Sequence, residues 1–310
     1  MTTVGVDVGG SKSLGVLLAA DGTVVAEQRV PTPRTADALL GAIGDLVEHL
    51  QAGAPGSGVG VGVPGLVDRD GVLRFVPNLP GVVEVPVRAA LARRGLGPAI
   101  VTNDATAATW AEFTRGAASG ASDVVMATIG TGIGGGVVLG GTLVGGHHGF
   151  AGEFGHMVVD PNGPRCPCGQ RGCWERYASG SGLGWMAREA AHAGVAARVV
   201  ELAGGDAEAV RGEHVTVAAA EGDAQAIAVM DRFAWWLAVG LANLATVLDP
   251  EVIVIGGGMV EAGPVLLEPA RRAFAALLEG GQHRPPVPLV AAALGERAGA
   301  IGAALLARGT

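Results

Sequence analysis

"TVGVDVGGSKSLGVLL", residues 3–18, runs from an apolar stretch through two glycines into a second apolar stretch. The pattern predicts a buried strand, a glycine turn and a partner strand. The same plan returns as "DVVMATIGTGIGGGVVLGGTLV" at 123–144. A chain that states one motif near its start and again near its middle is expected to be α/β with two related halves. No low-complexity linker separates those halves, so two domains would share a hinge and interleave.

Outward from the two echoes, elements alternate. Asp21-Gly22 marks a hairpin. Leu39, Leu40, Ile43, Leu46, Val47 and Leu50 carry helical spacing across 35–52, and "GVGVGVPG" (58–65) reads as a buried strand ending in a turn. A helix near 84–94, a strand at 99–102 and a helix over 105–115 complete the first half. The second is expected to be mostly helical over 181–248, with a strand at 251–258, a helix near 264–278, a strand at 287–293 and a last helix from Gly299.

Composition narrows the function. A net charge of −8 and the lack of a Lys/Arg run leave no footprint for a phosphate backbone, so no nucleic-acid partner is expected. The start "MTTVGVDVGG" has no basic n-region or apolar h-region, and the longest apolar run, 233–248, is short of a membrane span. A cytoplasmic protein without a membrane partner is the expectation. Three cysteines in a reducing compartment favour metal binding over disulfides.

Each glycine turn invites a ligand. In "DVGGSK" (7–12), Asp7 ends a strand, Gly9 and Gly10 allow close backbone approach, Ser11 offers a hydroxyl and Lys12 a cation. That suits a phosphate and its magnesium ion, though a plain tight hairpin reads equally from this stretch alone. "TIGTGIGGG" (128–136) sets Gly130, Thr131 and Gly132 after a second apolar strand, and "VIGGG" (254–258) sets Gly256, Gly257 and Gly258 after a third. Three such turns together read as two phosphate loops and a nucleoside shelf.

The order of "DVGGSK", "TNDATAA" (102–108), "TIGTGIGGG", "GEFGH" (152–156), "CPCGQRGCWE" (166–175) and "VIGGG" resembles the ROK family of repressors, open reading frames and kinases, and within it the bacterial ATP-dependent glucokinases. The match runs from Val4 to Gly302. It implies the actin-like ATPase (ribonuclease H-like) fold, two α/β domains around a substrate cleft, with 1–115 plus 299–310 as the smaller and 116–298 as the larger, holding a zinc loop and a helical dimerisation region. It further implies phosphorylation of glucose at the C6 hydroxyl with ATP and Mg2+, a step of glycolysis, and a homodimer or homotetramer. Two positions depart from the usual pattern: Ser11 stands in place of Thr, and Thr106 in place of Asn, which bears on sugar preference.

Counting ligands gives His156, Cys166, Cys168 and Cys173, one imidazole and three thiolates. That closed set leaves no open position for an activated water, so a structural Zn2+ is expected. Such a loop would orient Glu153 and Glu175, whose carboxylates each accept bonds from two sugar hydroxyls. His156 has a second ring nitrogen, for a sugar hydroxyl or for an ordinary supporting partner. Asp104, after a strand and opening a helix, reads as an N-cap or as a base. The resemblance assigns it the catalytic aspartate that takes the C6 hydroxyl proton. Asn103 would cap the helix or touch the sugar, Gly65 and Asn78 are further sugar-contact candidates, Asp7 would serve magnesium, and the tandem Trp235 and Trp236 read as core.

Two other classes compete. A kinase for N-acetylmannosamine, mannose or fructose would share every motif. A sugar-sensing ROK protein without turnover would be expected to lose the base or a phosphate loop, and a regulator to carry a helix-turn-helix segment ahead of Asp7.

Overall fold

Val4, Val6 and Val8 are wholly buried on β1 (Thr3–Val8), while the residue between the first two is Gly5. The alternation separates the strand's two faces. The valines meet Leu39, Ile43, Leu46, Val47 and Leu50 of α1 (Ala36–Ala52), each burial contributing roughly 1.5–3 kcal/mol. Gly5 faces the C-terminal helix α10 (Ala298–Leu306), where a methyl would lie 1.9 Å from the Ala300 carbonyl oxygen. Gly60 does the same on β4 (Gly58–Val63), 1.9 Å from the Ala303 oxygen. The glycine-valine alternation of "GVGVGV" therefore lets one helix lie against strand backbone and gives the other helix side chains to bury.

This computed structural model describes residues 1–76 and 81–309. Between α1 and β1 come β2 (Lys12–Leu18) and β3 (Val24–Pro31). After β4 follow β5 (Leu66–Val67), β6 (Val72–Phe75), β7 (Val83–Pro86), α2 (Val87–Arg93), β8 (Ala99–Asn103) and α3 (Asp104–Arg115). The first sheet has the order β3-β2-β1-β4-β8. β1 is antiparallel to β2 and parallel to β4, and β4 is parallel to β8, so Asp7, Gly62 and Thr102 share one row near the carboxyl ends of three parallel strands. In α/β sheets that end is where ligands bind.

The second half begins with β9 (Val124–Ile129), β10 (Ile133–Leu139) and β11 (Thr142–Leu143). Helices α4 (Glu175–Ala178), α5 (Gly180–His192), α6 (Ala197–Leu202), α7 (Gly212–Ala220) and α8 (Ala224–Leu248) come next, then β12 (Val252–Gly256), α9 (Pro264–Leu277) and β13 (Leu289–Ala291) before α10. Its sheet has the order β11-β10-β9-β12-β13, the strand plan of the first sheet repeated. The echo read from the sequence is thus an echo of topology. Among the described residues, α8 is the one helix long and apolar enough to cross a membrane, and 56% of that window is buried within the fold. Val229, Phe233, Leu237, Leu241 and Leu244 form the buried stripe.

Two details differ from the sequence reading. The expected helix near 84–94 starts only at Val87, because 83–86 pairs with β6 in a small antiparallel sheet, β5-β6-β7. Trp235 is 45% exposed rather than core, and Trp236, half-buried, stacks on Tyr177 at 4.0 Å between ring centroids.

The chain forms two compact units: Met1–Val124, Gly135–Gly152 and Ala293–Thr310 in the first, Val125–Gly134 and Glu153–Ala292 in the second. Beside a division at 115/116 and 298/299, the first unit also takes in 116–124, 135–152 and 293–298. Side chains within it explain why. The wholly buried Glu112 accepts backbone N–H bonds from Ala117, Ala293 and Leu294 at 2.8, 3.0 and 2.8 Å. Arg69 donates to the Gly146 carbonyl at 2.7 Å, and Gly136 lies against Thr109.

Candidate active site

In the first unit, β8 delivers Asn103 and α3 begins with Asp104. The Asn103 Oδ1 accepts the Thr106 N–H at 3.0 Å, and its Nδ2 donates to the Gly65 carbonyl at 3.2 Å. Gly65 has φ +84, and a methyl there would meet the Phe75 oxygen at 2.2 Å. Asn103 therefore takes the cap and ties the turn after β4 to it, which leaves the Asp104 carboxyl free of capping duty. Asp104 Oδ1 accepts the neighbouring Ala105 N–H at 2.8 Å. Burial pushes the Asp104 carboxyl above the ordinary carboxylate range, against the pull of backbone hydrogen bonds and of the Asn103 side chain.

Asp7 is the other carboxyl of this end of the sheet. Burial, and then the Asp104 charge, push it up to about 8. Its Oδ1 is buried with no hydrogen-bond partner, and Gly299, in the first turn of α10, is so close that a methyl there would lie 2.5 Å from the carboxylate. A buried, orphaned carboxylate oxygen beside a second carboxylate wants a cation or a proton. Just beyond, the 9–12 turn is pinned from behind: Gly9 N–H bonds the Lys12 carbonyl at 3.0 Å, and Thr32 Oγ1 donates to the Gly9 carbonyl at 2.8 Å. Gly10 has open space around it, and Ser11 and Lys12 are exposed. The stretch is a hairpin turn whose outer edge is free for a ligand.

In the second unit, a cavity of about 850 Å³ is lined by Gly130, Thr131, Gly180, Ser181, Arg188 and Gly258, among others. That is ample for a nucleotide. Gly132, Gly256 and Gly257 do not line it; they allow close packing beside it. A methyl on Gly132 would meet Glu175 Oε2 at 2.2 Å, one on Gly256 the Met126 side chain at 2.5 Å, and one on Gly257 the Ile129 backbone at 2.4 Å. Arg188 and Arg211 add two cations to the lining that sequence reasoning missed, because both sit in or beside helices where a surface role reads equally well. Glu112 was missed for the same reason: only the fold shows three backbone N–H groups converging on it.

The loop that carries the histidine and three cysteines is also in the second unit. One donor atom from each of His156, Cys166, Cys168 and Cys173 lies within 4.8 Å of all the others. His156 Nδ1 is 3.8 Å from Cys166 Sγ, and Cys168 Sγ is 3.6 Å from Cys173 Sγ. Ligands at zinc-like bond lengths on a tetrahedron stand about 3.3–3.8 Å apart, so this donor set fits a zinc ion. Burial, then the neighbouring thiols, hold the Cys173 thiol well above its ordinary range, and a cation would reverse that. The far ring nitrogen of His156, Nε2, is 3.9 Å from Glu153 Oε2. Glu175, two residues past Cys173, accepts the Ile133 N–H at 2.8 Å. Asn78 lies outside the described residues.

Known proteins match along the whole chain. A model of the ROK family matches residues 3–310. A glucokinase of Streptomyces coelicolor is 40% identical, over 99% of this chain and 97% of its own length. An N-acetylmannosamine kinase of Escherichia fergusonii is 38% identical, over 100% and 99%. The crystal structure of a ROK family glucokinase from Streptomyces griseus in complex with glucose and AMPPNP superposes with a TM-score of 0.89 at 39% identity, covering all of both chains.

Proposed function

The chain belongs to the ROK family, and on that premise we propose that it transfers the γ-phosphoryl group of ATP to the C6 hydroxyl of glucose. That it is a hexose kinase of the actin-like ATPase fold follows from its relatives. Glucose as the preferred hexose, Asp104 as the base, and the ions are the reading proposed here.

The observation that carries the reading is the freed Asp104 carboxyl, with Asn103 occupying the cap beside it. Its carboxylate, raised by burial, is a better proton acceptor than an ordinary aspartate and can take the C6 hydroxyl proton as the oxygen attacks. Phosphoryl transfer asks little else of a protein than alignment and charge neutralisation. Asp7, whose buried Oδ1 has no hydrogen-bond partner, would hold Mg2+ through water, and the bound ion would neutralise charge on the phosphates. The 9–12 and 130–132 turns would offer backbone amides to the phosphates, and the cavity lined by Gly258 would take the nucleoside. Glu153, Glu175, His156, Asn103 and Gly65 are the sugar contacts in this reading, with Asn78 among the candidates. His156, Cys166, Cys168 and Cys173 would hold Zn2+, whose part is to fix the loop bearing Glu153 and Glu175.

A second substrate has a specific argument. The 38% identical N-acetylmannosamine kinase and the Thr106 position both bear on which hydroxyl pattern is read. Measuring ADP release with glucose, mannose, fructose, N-acetylglucosamine and N-acetylmannosamine separates the two, and a higher kcat/KM for N-acetylmannosamine than for glucose would replace the proposal. Oligomerisation as a dimer or tetramer goes with the family reading, and exposed Val217, Ile227 and Trp235 on α7 and α8 supply apolar surface for it.

A further inference from the structure

The glycine loop that lines the nucleotide cavity is fastened to the segment that leaves the metal loop. Glu175 Oε2 accepts the Ile133 N–H, Gly180 N–H bonds the Gly130 carbonyl at 2.8 Å, and Ser181 Oγ donates to the Thr131 carbonyl at 2.8 Å. The anchor of that segment is rigid. Trp174, between Cys173 and Glu175, is wholly buried, its Nε1–H donates to the Trp236 carbonyl at 2.8 Å, and its ring lies so close on Gly240 that a methyl there would stand 2.0 Å away. Glu175 thus reaches the loop from a fixed point. Its second oxygen, Oε1, carries no hydrogen bond among the described residues.

We infer that Glu175 couples the two substrates, Oε2 holding the nucleotide loop in place while Oε1 takes a sugar hydroxyl. The inference rests on the sugar-contact role proposed above for this residue. A free glutamate side chain must lose its rotamer freedom to make either contact. Both contacts draw on this one carboxylate, so the first ligand further restrains what the second must also hold still. Coupling of this kind is reciprocal, so glucose should tighten nucleotide binding by the same factor by which nucleotide tightens glucose.

The test is calorimetric titration of the zinc-loaded chain with Mg-AMPPNP, with and without saturating glucose. In the wild type, glucose should tighten the analogue by about five- to a hundredfold. In Glu175→Ala the sugar-free affinity for the analogue should fall roughly tenfold, the loss expected of one charge-assisted hydrogen bond, and the effect of glucose should vanish. Glu175→Gln keeps an oxygen for the Ile133 N–H, so its sugar-free analogue affinity should stay within about threefold of wild type while glucose affinity drops. Equal analogue affinity with and without glucose in the wild type overturns the coupling with no variant needed. So does a Glu175→Ala chain that binds glucose weakly yet keeps wild-type affinity for the analogue, a result that leaves the sugar contact standing. A Glu175→Ala chain that loses analogue affinity but binds glucose as the wild type does removes the sugar contact itself, and the coupling with it.

Discussion

Asn103 Oδ1 accepts the Thr106 N–H at 3.0 Å, so the residue before Asp104, and not Asp104, caps α3. Sequence alone left the two roles interchangeable, since either residue can cap a helix. The structure divides them between neighbours. Asn103→Ala should therefore cost about 0.5–2 kcal/mol of stability for the lost cap, read from urea denaturation. The loss of the Nδ2 bond to Gly65 acts in the same direction. An Asn103→Ala protein with an unchanged urea midpoint would show that the cap is not needed.

Asp7 predicts a pH dependence whose sign is fixed. Unfolded, its carboxyl releases its proton near 3.8; folded, burial and the Asp104 charge hold the proton up to about 8. Between those values the folded chain binds more protons than the unfolded one, so this residue's contribution to stability is lost as pH rises toward 8. Without added magnesium, Asp7→Asn should thus gain in urea midpoint relative to wild type at pH 8 and not at pH 4. A difference that is the same at both pH values would remove the shifted Asp7 from the account.

The four-ligand loop should hold about one zinc ion per chain, measured by elemental analysis of the purified protein. Removing it with a chelator leaves buried thiols unpaired and frees the turn that Gly172 N–H and the Pro164 carbonyl close at 2.9 Å. The melting temperature should fall by several degrees on metal removal. A chain that is metal-free as purified and melts at the same temperature with or without zinc would contradict a structural role.

Much of this was legible because certain residues announce their chemistry at short range. Three cysteines and a histidine in a polar, turn-rich stretch leave few uses other than a metal, and their donor atoms do converge. Glycine turns after apolar strands placed the strand ends, and the helical spacing over 35–52 gave α1 almost to the residue. What stayed hidden depended on partners distant in sequence. Strands of two to four residues, such as β5 and β7, are too short to show a period. Glu112 looks like any acidic residue on a helix until 293–294 folds back onto it. Trp235 and Trp236 look alike as neighbours, yet one faces solvent and the other stacks on Tyr177.

The most direct test of the mechanism is kcat of Asp104→Asn for glucose with Mg-ATP, beside its melting temperature. The amide can still accept the Ala105 N–H, so folding should be nearly unchanged. It cannot accept a proton from the C6 hydroxyl, so kcat should fall by about two to four orders of magnitude, with glucose affinity changed only modestly. A folded Asp104→Asn enzyme that turns over at the wild-type rate would contradict the assignment of Asp104 as the base.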